Sequence, residues 1–246
     1  MSTPCHLPKA PITEALIDLR IKPKEGLTAQ TLGNIYNTIR SQYPNREELL
    51  RAEAQIEFRD GQFSKLNSGK TPFGYLYKSA DKKQILQAKL DGFTFNRLAP
   101  YENWSNLRDE AYRLWQNYAE ITNSEIIRVA VRYINKIDIP LPIENFGDYL
   151  TAAPIVPQAL PQGVSSFLTR VVIQEPALDV TAIITQSLEQ IVNPNLISII
   201  LDIDVFKQNT IGIYEKEAWE LLEELHNFKN KIFFESITEK LKEAFI

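Results

Sequence analysis

The sequence predicts an α+β fold: antiparallel sheets in two similar halves, each with a long amphipathic helix packed on the sheet. Three observations carry that prediction. Residues 12–21 and 126–138 alternate apolar with polar side chains, the rhythm of a strand with one buried face. Asp60-Gly61 and Asp91-Gly92 each sit between strand-like runs and suit the positive φ angles of tight hairpin turns. Residues 104–121 and 214–232 repeat apolar residues at helical spacing.

Each element follows from local signals. Pro8 and Pro11 make an extended lead-in. Ile12 to Ile21 is the first strand, ended by Pro23 and Gly26. Thr28 caps a helix carrying Leu32, Ile35, Ile39 and Tyr43, which Pro44 stops. Ala54–Arg59 and Gln62–Leu66 flank the first Asp-Gly pair, Phe73–Lys78 reads as a separate strand, and Gln84–Leu90 and Phe93–Leu98 flank the second. Trp104, Leu107, Ala111, Leu114, Trp115 and Tyr118 mark a helix ending near Ile121. The strand Ile126–Pro140 follows. Five prolines between 140 and 161 then form a connection with a short helix expected around Asn145–Leu150. Phe167–Gln174, Leu178–Leu188 and Leu196–Phe206 read as strands before the second long helix. Ser236 and Glu239 have capping-box spacing for a last short one. Residues 1–140 form an N-terminal half and 141–246 a C-terminal half, together one compact domain.

Composition narrows the function classes. A chain of 246 residues with 44% hydrophobic residues is ample for a sizeable core. A net charge of −4 lacks the basic excess of nucleic-acid binders. One cysteine, Cys5, and two histidines, His6 and His226, supply neither a disulfide framework nor a His/Cys metal set. No apolar run approaches the ~20 residues that span a bilayer. The opening lacks the apolar core of a secretory signal, so a cytoplasmic protein outside any membrane is expected. No Gly-rich dinucleotide fingerprint, P-loop or nucleophile elbow is present.

The charged strand faces are the candidate site. Glu14, Asp18 and Arg20 share one side of the first strand. Arg128, Arg132, Lys136 and Asp138 share one side of the strand Ile126–Pro140, and Asp202 and Asp204 share one side of the strand Leu196–Phe206. Residues two apart on a strand lie about 6.5–7 Å apart, close enough to share one ligand. Turned inward, Arg128, Arg132 and Lys136 with Glu14 would hold a phosphate-bearing small molecule. Asp202 and Asp204 would then hold Mg²⁺. Turned outward, the same charges would pair across strands on a solvated face. Phe93, Phe95, Tyr101, Trp104, Trp115 and Tyr118 form an aromatic group whose spacing fits a core better than a base-stacking platform. His226 has no evident nucleophile to activate.

Four blocks carry a resemblance: Pro8–Arg20 (PKAPITEALIDLR), Leu90–Leu98 with Pro100–Trp104, Arg132–Pro140 (RYINKIDIP) and Asn230–Glu239. They resemble a sporadically distributed prokaryotic family of uncharacterised proteins of about this length. The resemblance implies no reaction and no cofactor. Its scattered distribution suggests an accessory or defence-type gene context. The expected function is therefore a non-enzymatic binding or interaction module, docking a protein partner or another copy of itself. Phosphate- or nucleotide-ligand binding, with Mg-dependent phosphoryl chemistry, is the alternative.

Overall fold

The computed structural model describes residues 7–59, 62–143, 145–189 and 195–246, excluding the side chains of 53–59, 62–68 and 210. It is a mixed α+β structure built on one antiparallel sheet. The strands are β1 (Ile12–Ile21), β2 (Asn45–Arg59), β3 (Gln62–Lys78), β4 (Gln84–Lys89), β5 (Gly92–Leu98), β6 (Ile126–Pro140), β7 (Leu168–Glu175), β8 (Val180–Leu188) and β9 (Leu196–Ile213). They lie in the order β2-β3-β4-β5-β1-β6-β9-β8-β7. The sheet therefore runs unbroken past residue 140, because β6 pairs with β1 on one side and β9 on the other.

Helices α1 (Ala29–Leu32) and α2 (Ile35–Ile39) follow β1, α3 (Trp104–Thr122) follows β5, and α4 (Glu215–Ser236) and α5 (Glu239–Glu243) end the chain. The long helices α3 and α4 cover one face of the sheet. Leu19 pairs with both Phe93 and Val129, so these three side chains share a face. Phe93 meets Trp115 of α3 edge-on at 5.6 Å, and Tyr133, of Val129's parity, lies under Lys229 of α4. Ile17, Leu19, Phe93, Val131, Tyr133, Ile203 and Val205 are fully buried there against Leu114, Trp115 and Tyr118 of α3 and Leu222 and Leu225 of α4. The opposite face carries Glu14, Asp18, Arg128, Arg132, Asp202 and Asp204, and none of the described helices is placed over it. No helix among the described residues is long and apolar enough to cross a membrane.

Several local expectations change. The helix capped by Thr28 breaks into α1 and α2, because three-residue hydrogen bonds (Asn34 to Thr31, Tyr36 to Gly33) tighten the chain at Gly33. A Cβ at Gly33 would lie 2.8 Å from Arg46 Nη2, so the turn also lets β2 approach. Residues 62–66 and 73–78 belong to one strand, β3. Leu49 pairs with Gly74 and Leu50 with Pro72, leaving Phe73 as a bulge that accommodates the proline. The Asp60-Gly61 turn lies outside the described residues, as do Cys5 and His6. In the second hairpin Lys89 pairs with Gly92, so the turn residues are Leu90 and Asp91, and Asp91-Gly92 has no positive φ. Glycine is needed there for another reason: a Cβ on Gly92 would lie 2.8 Å from the Leu19 carbonyl. In the connection after β6, the short helix expected around Asn145–Leu150 is a 3₁₀ helix, Phe146–Asp148. The cap of α5 is Thr238, whose hydroxyl accepts from the Leu241 amide, while Ser236 ends α4 by donating to the Ile232 carbonyl.

Among the described glycines, Gly74 has the tightest backbone contact. A Cβ there would stand 2.2 Å from the Ala88 carbonyl oxygen, inside the β3–β4 ladder. Gly74→Ala is expected to cost about 3 kcal/mol by overpacking, read as a lower urea midpoint at unchanged slope.

Candidate functional site

The charged residues of β1, β6 and β9 do meet on one face, but they meet one another. Arg132 donates from Nε and Nη2 to both carboxylate oxygens of Asp202, at 2.8 and 2.5 Å. Arg128 donates to Asp18 at 2.9 Å and to Asp204 at 3.1 Å, with its guanidinium 4.4 Å from the Phe206 ring centre. Asp18 also accepts from Arg20 Nε at 3.0 Å and Thr94 Oγ1 at 2.7 Å. Glu14 accepts from Asn96, and Lys136 pairs with Glu189 at 2.6 Å. Burial raises the Asp204 carboxyl above its usual range, the neighbouring Arg128 opposing that, and hydrogen bonding to Asp202 raises Arg132.

Glu14, Asp18, Arg128, Arg132 and Asp204 line a shallow hollow of about 300 Å³, while Asp202 and Lys136 stand outside its wall. Each arginine fork already grips a carboxylate. An anion would have to displace Asp202 or Asp204, and a divalent cation would have to displace an arginine. Among the described residues no three His, Cys, Asp or Glu side chains converge on one point.

A different cavity lies on the helix-covered face, about 440 Å³ in volume. Its wall is built from the lead-in Leu7–Ile12, the loop Ala99–Asn103 with its cis Ala99–Pro100 bond, Trp104, Asn135 of β6 and one side of α4. On α4, His226, Lys229, Asn230, Phe233 and Phe234 recur at three- and four-residue spacing, which puts them on one helix face. The cavity is mostly aromatic and aliphatic, with Lys229 as its buried cation.

Lys229 is only 5% exposed, and among the described residues no carboxylate pairs with it. Its Nζ donates to Asn230 Oδ1 at 2.5 Å and sits 3.7 Å from the centre of the Tyr133 ring. Burial in this apolar setting pulls the ammonium down to about 7. Burial, reinforced by the nearby Lys229 charge, takes His226 down to about 3. The neutral imidazole stacks on Trp104 at 4.3 Å, and Asn230 Nδ2 donates to its Nε2 at 3.4 Å. The Trp104 indole N–H donates to Glu223 at 2.9 Å. The Tyr101 and Tyr133 hydroxyls are 3.0 Å apart, and burial pushes Tyr101 up to about 12. Glu102, at the rim, is held by Arg97 and Asn106.

Of the six aromatic residues grouped in the sequence, Phe93, Phe95, Trp115 and Tyr118 are core. Tyr101 and Trp104 instead line the cavity. Reasoning from charged strand faces passed over Lys229. The signal was present on α4: a cation four residues after Leu225 and three before Ile232, inside the helix's apolar stripe.

No protein-family model matches the chain, and no curated protein does. Among solved structures, the crystal structure of the di-domain ARO/CYC StfQ from the steffimycin biosynthetic pathway aligns over 94% of this chain and 97% of its own. Identity is 9% and the TM-score 0.16, a likeness too slight to bear on fold or function.

Proposed function

We propose that this protein is a binding module, and that the cavity between α4 and the Ala99–Trp104 segment takes a small, flat, largely apolar molecule. The ligand presents one hydrogen-bond acceptor to Lys229. The observation that carries this reading is Lys229 itself. A buried amine without a counter-ion is costly to fold, and a bound acceptor would satisfy the protons that Asn230 leaves free. A volume of about 440 Å³ lies in the range of small-molecule pockets, as does an aromatic wall with few polar groups. All four segments that carry the family resemblance contribute to this wall: Pro8–Ile12, Ala99–Trp104 beside Leu98, Asn135, and Asn230 with Phe233 and Phe234.

The charged face is read here as a structural network, since its arginines are committed. The chain is also read as two related halves. Each opens with a strand that pairs with the last strand of its own meander, β1 with β5 and β6 with β9, and in each a long helix follows that meander. That reading moves the join from the expected 140/141 boundary to ahead of β6, and β1–β6 pairing fuses the two sheets.

The test is a titration with 2-naphthoate and 2-naphthol, read by tryptophan fluorescence and by thermal upshift. Saturable binding with Kd on the order of 100 µM is expected for a fragment of this size. Lys229→Met should weaken naphthoate about tenfold or more, through loss of a charge-assisted hydrogen bond. No saturable signal from either probe, or binding indifferent to both Lys229→Met and Phe234→Ala, would sink the proposal.

A further inference from the structure

The geometry points to Lys229 as an imine-forming amine: a carbonyl compound with an apolar body, seated in the α4 cavity, condenses with Nζ. This rests on the cavity being a ligand site and adds the chemical class of its ligand. Three features of the site converge on it. Buried Nζ lies over the Tyr133 ring with Asn230 Oδ1 as its hydrogen-bond partner, and among the described residues no carboxylate holds it as an ammonium. The walls, Trp104, Tyr101, Pro100, Phe233 and Phe234, would hold an aromatic or alkyl body beside that nitrogen. Burial also leaves a large share of the amine uncharged near neutral pH, with a lone pair available for attack.

The step balances without any other reagent. The nitrogen lone pair forms a bond to the carbonyl carbon while the π pair moves to oxygen, and one of the two amine protons passes to that oxygen, giving a carbinolamine. A proton passes from nitrogen to that hydroxyl, the C–O bond breaks, and water leaves as C=N forms. The reverse addition of water releases the ligand. Asn230 Oδ1, at 2.5 Å from Nζ, orients the amine.

The experiment incubates the full chain with 2-naphthaldehyde and sodium cyanoborohydride at pH 7, then maps adducts by peptide mass spectrometry. Lys229 is expected to carry the first equivalent of reduced adduct, at least about tenfold faster than the average surface lysine, whose pKa near 10.4 leaves it almost wholly protonated. The Lys229→Arg variant, checked for native circular dichroism, should lose that adduct while surface labelling stays unchanged. 2-Naphthol, which has the same body and no carbonyl, separates the two ideas. If 2-naphthol binds saturably and protects no lysine-specific adduct because none forms, the imine assignment is overturned and the pocket reading stands. If neither compound binds, both fall. Labelling spread evenly over surface lysines also overturns the assignment.

Discussion

Lys229→Met should make the protein more stable at pH 7, by about 4 kcal/mol, or roughly 10 °C in Tm. The sign follows from proton linkage. In the unfolded chain this amine holds its proton up to pH about 10.4, whereas in the fold burial takes it down to about 7. Between those values the unfolded state binds more protons, so the wild-type protein gains stability as pH rises from 7 toward 10. Below 7 both states are protonated and the full destabilisation is present. The methionine variant has no such group, and an unbranched apolar side chain suits the Tyr133, Phe233 and Trp104 surroundings. The gap between variant and wild type should therefore be widest at pH 6–7 and narrow steadily by pH 9.5. Taking the difference cancels the tyrosines common to both proteins, including Tyr101, which burial raises to about 12. Urea denaturation at four pH values measures it. A gap that is flat with pH, or a variant less stable than wild type at pH 7, contradicts the buried and unpaired state of this lysine. Retaining a residue that costs this much is what a site selected for binding or chemistry would do.

The parts of this fold that the sequence announces are those with strict local rhythm. β1 spans Ile12–Ile21 and β6 spans Ile126–Pro140, because a one-residue slip in either would turn Ile17, Leu19, Val131 and Tyr133 into solvent. Helix α3 is equally plain from its apolar spacing; the structure adds its Asn103 cap, whose side chain accepts from the Asn106 amide. Legibility fails where a long-range contact overrides the local pattern. Nothing near Gly92 says that Leu19 and Arg20 press against it, so an Asp-Gly pair suggests a turn one residue late. Nothing near Phe73 says that it is a bulge within β3. The charged faces illustrate the same limit for the site. Alternation places Arg128, Arg132, Asp202 and Asp204 on one side of their strands, but only the antiparallel register, Arg132 opposite Asp204 and Ile134 opposite Asp202, decides that they answer one another. Lys229 required the reverse habit of reading, since its significance lies in being the wrong residue type on a helix stripe.

Asp18→Ala should be the most destabilising single change on the charged face, at about 3–5 kcal/mol. Asp18 is 5% exposed and gathers three donors, Thr94 Oγ1, Arg20 Nε and Arg128 Nη1. Removing its carboxylate leaves Arg128 with Asp204 as its one anionic partner and strands the Thr94 hydroxyl, which also accepts from Lys89 at 2.9 Å. The cost is that of uncompensated charge in a half-buried network, and it exceeds the intrinsic worth of any one bond. Arg132→Met is the internal contrast. Its side chain is 43% exposed, so solvent screens the loss, and about 1 kcal/mol is expected despite the two-pronged contact with Asp202. The double variant Asp18→Asn/Arg128→Gln should recover about 1–3 kcal/mol relative to the sum of the single changes, because the charge stranded by each is absent. Additive costs in that cycle, or an Asp18→Ala loss no larger than that of Arg132→Met, would mean that these arginines are not neutralised within the sheet. The charged face would then again be available for an external anion.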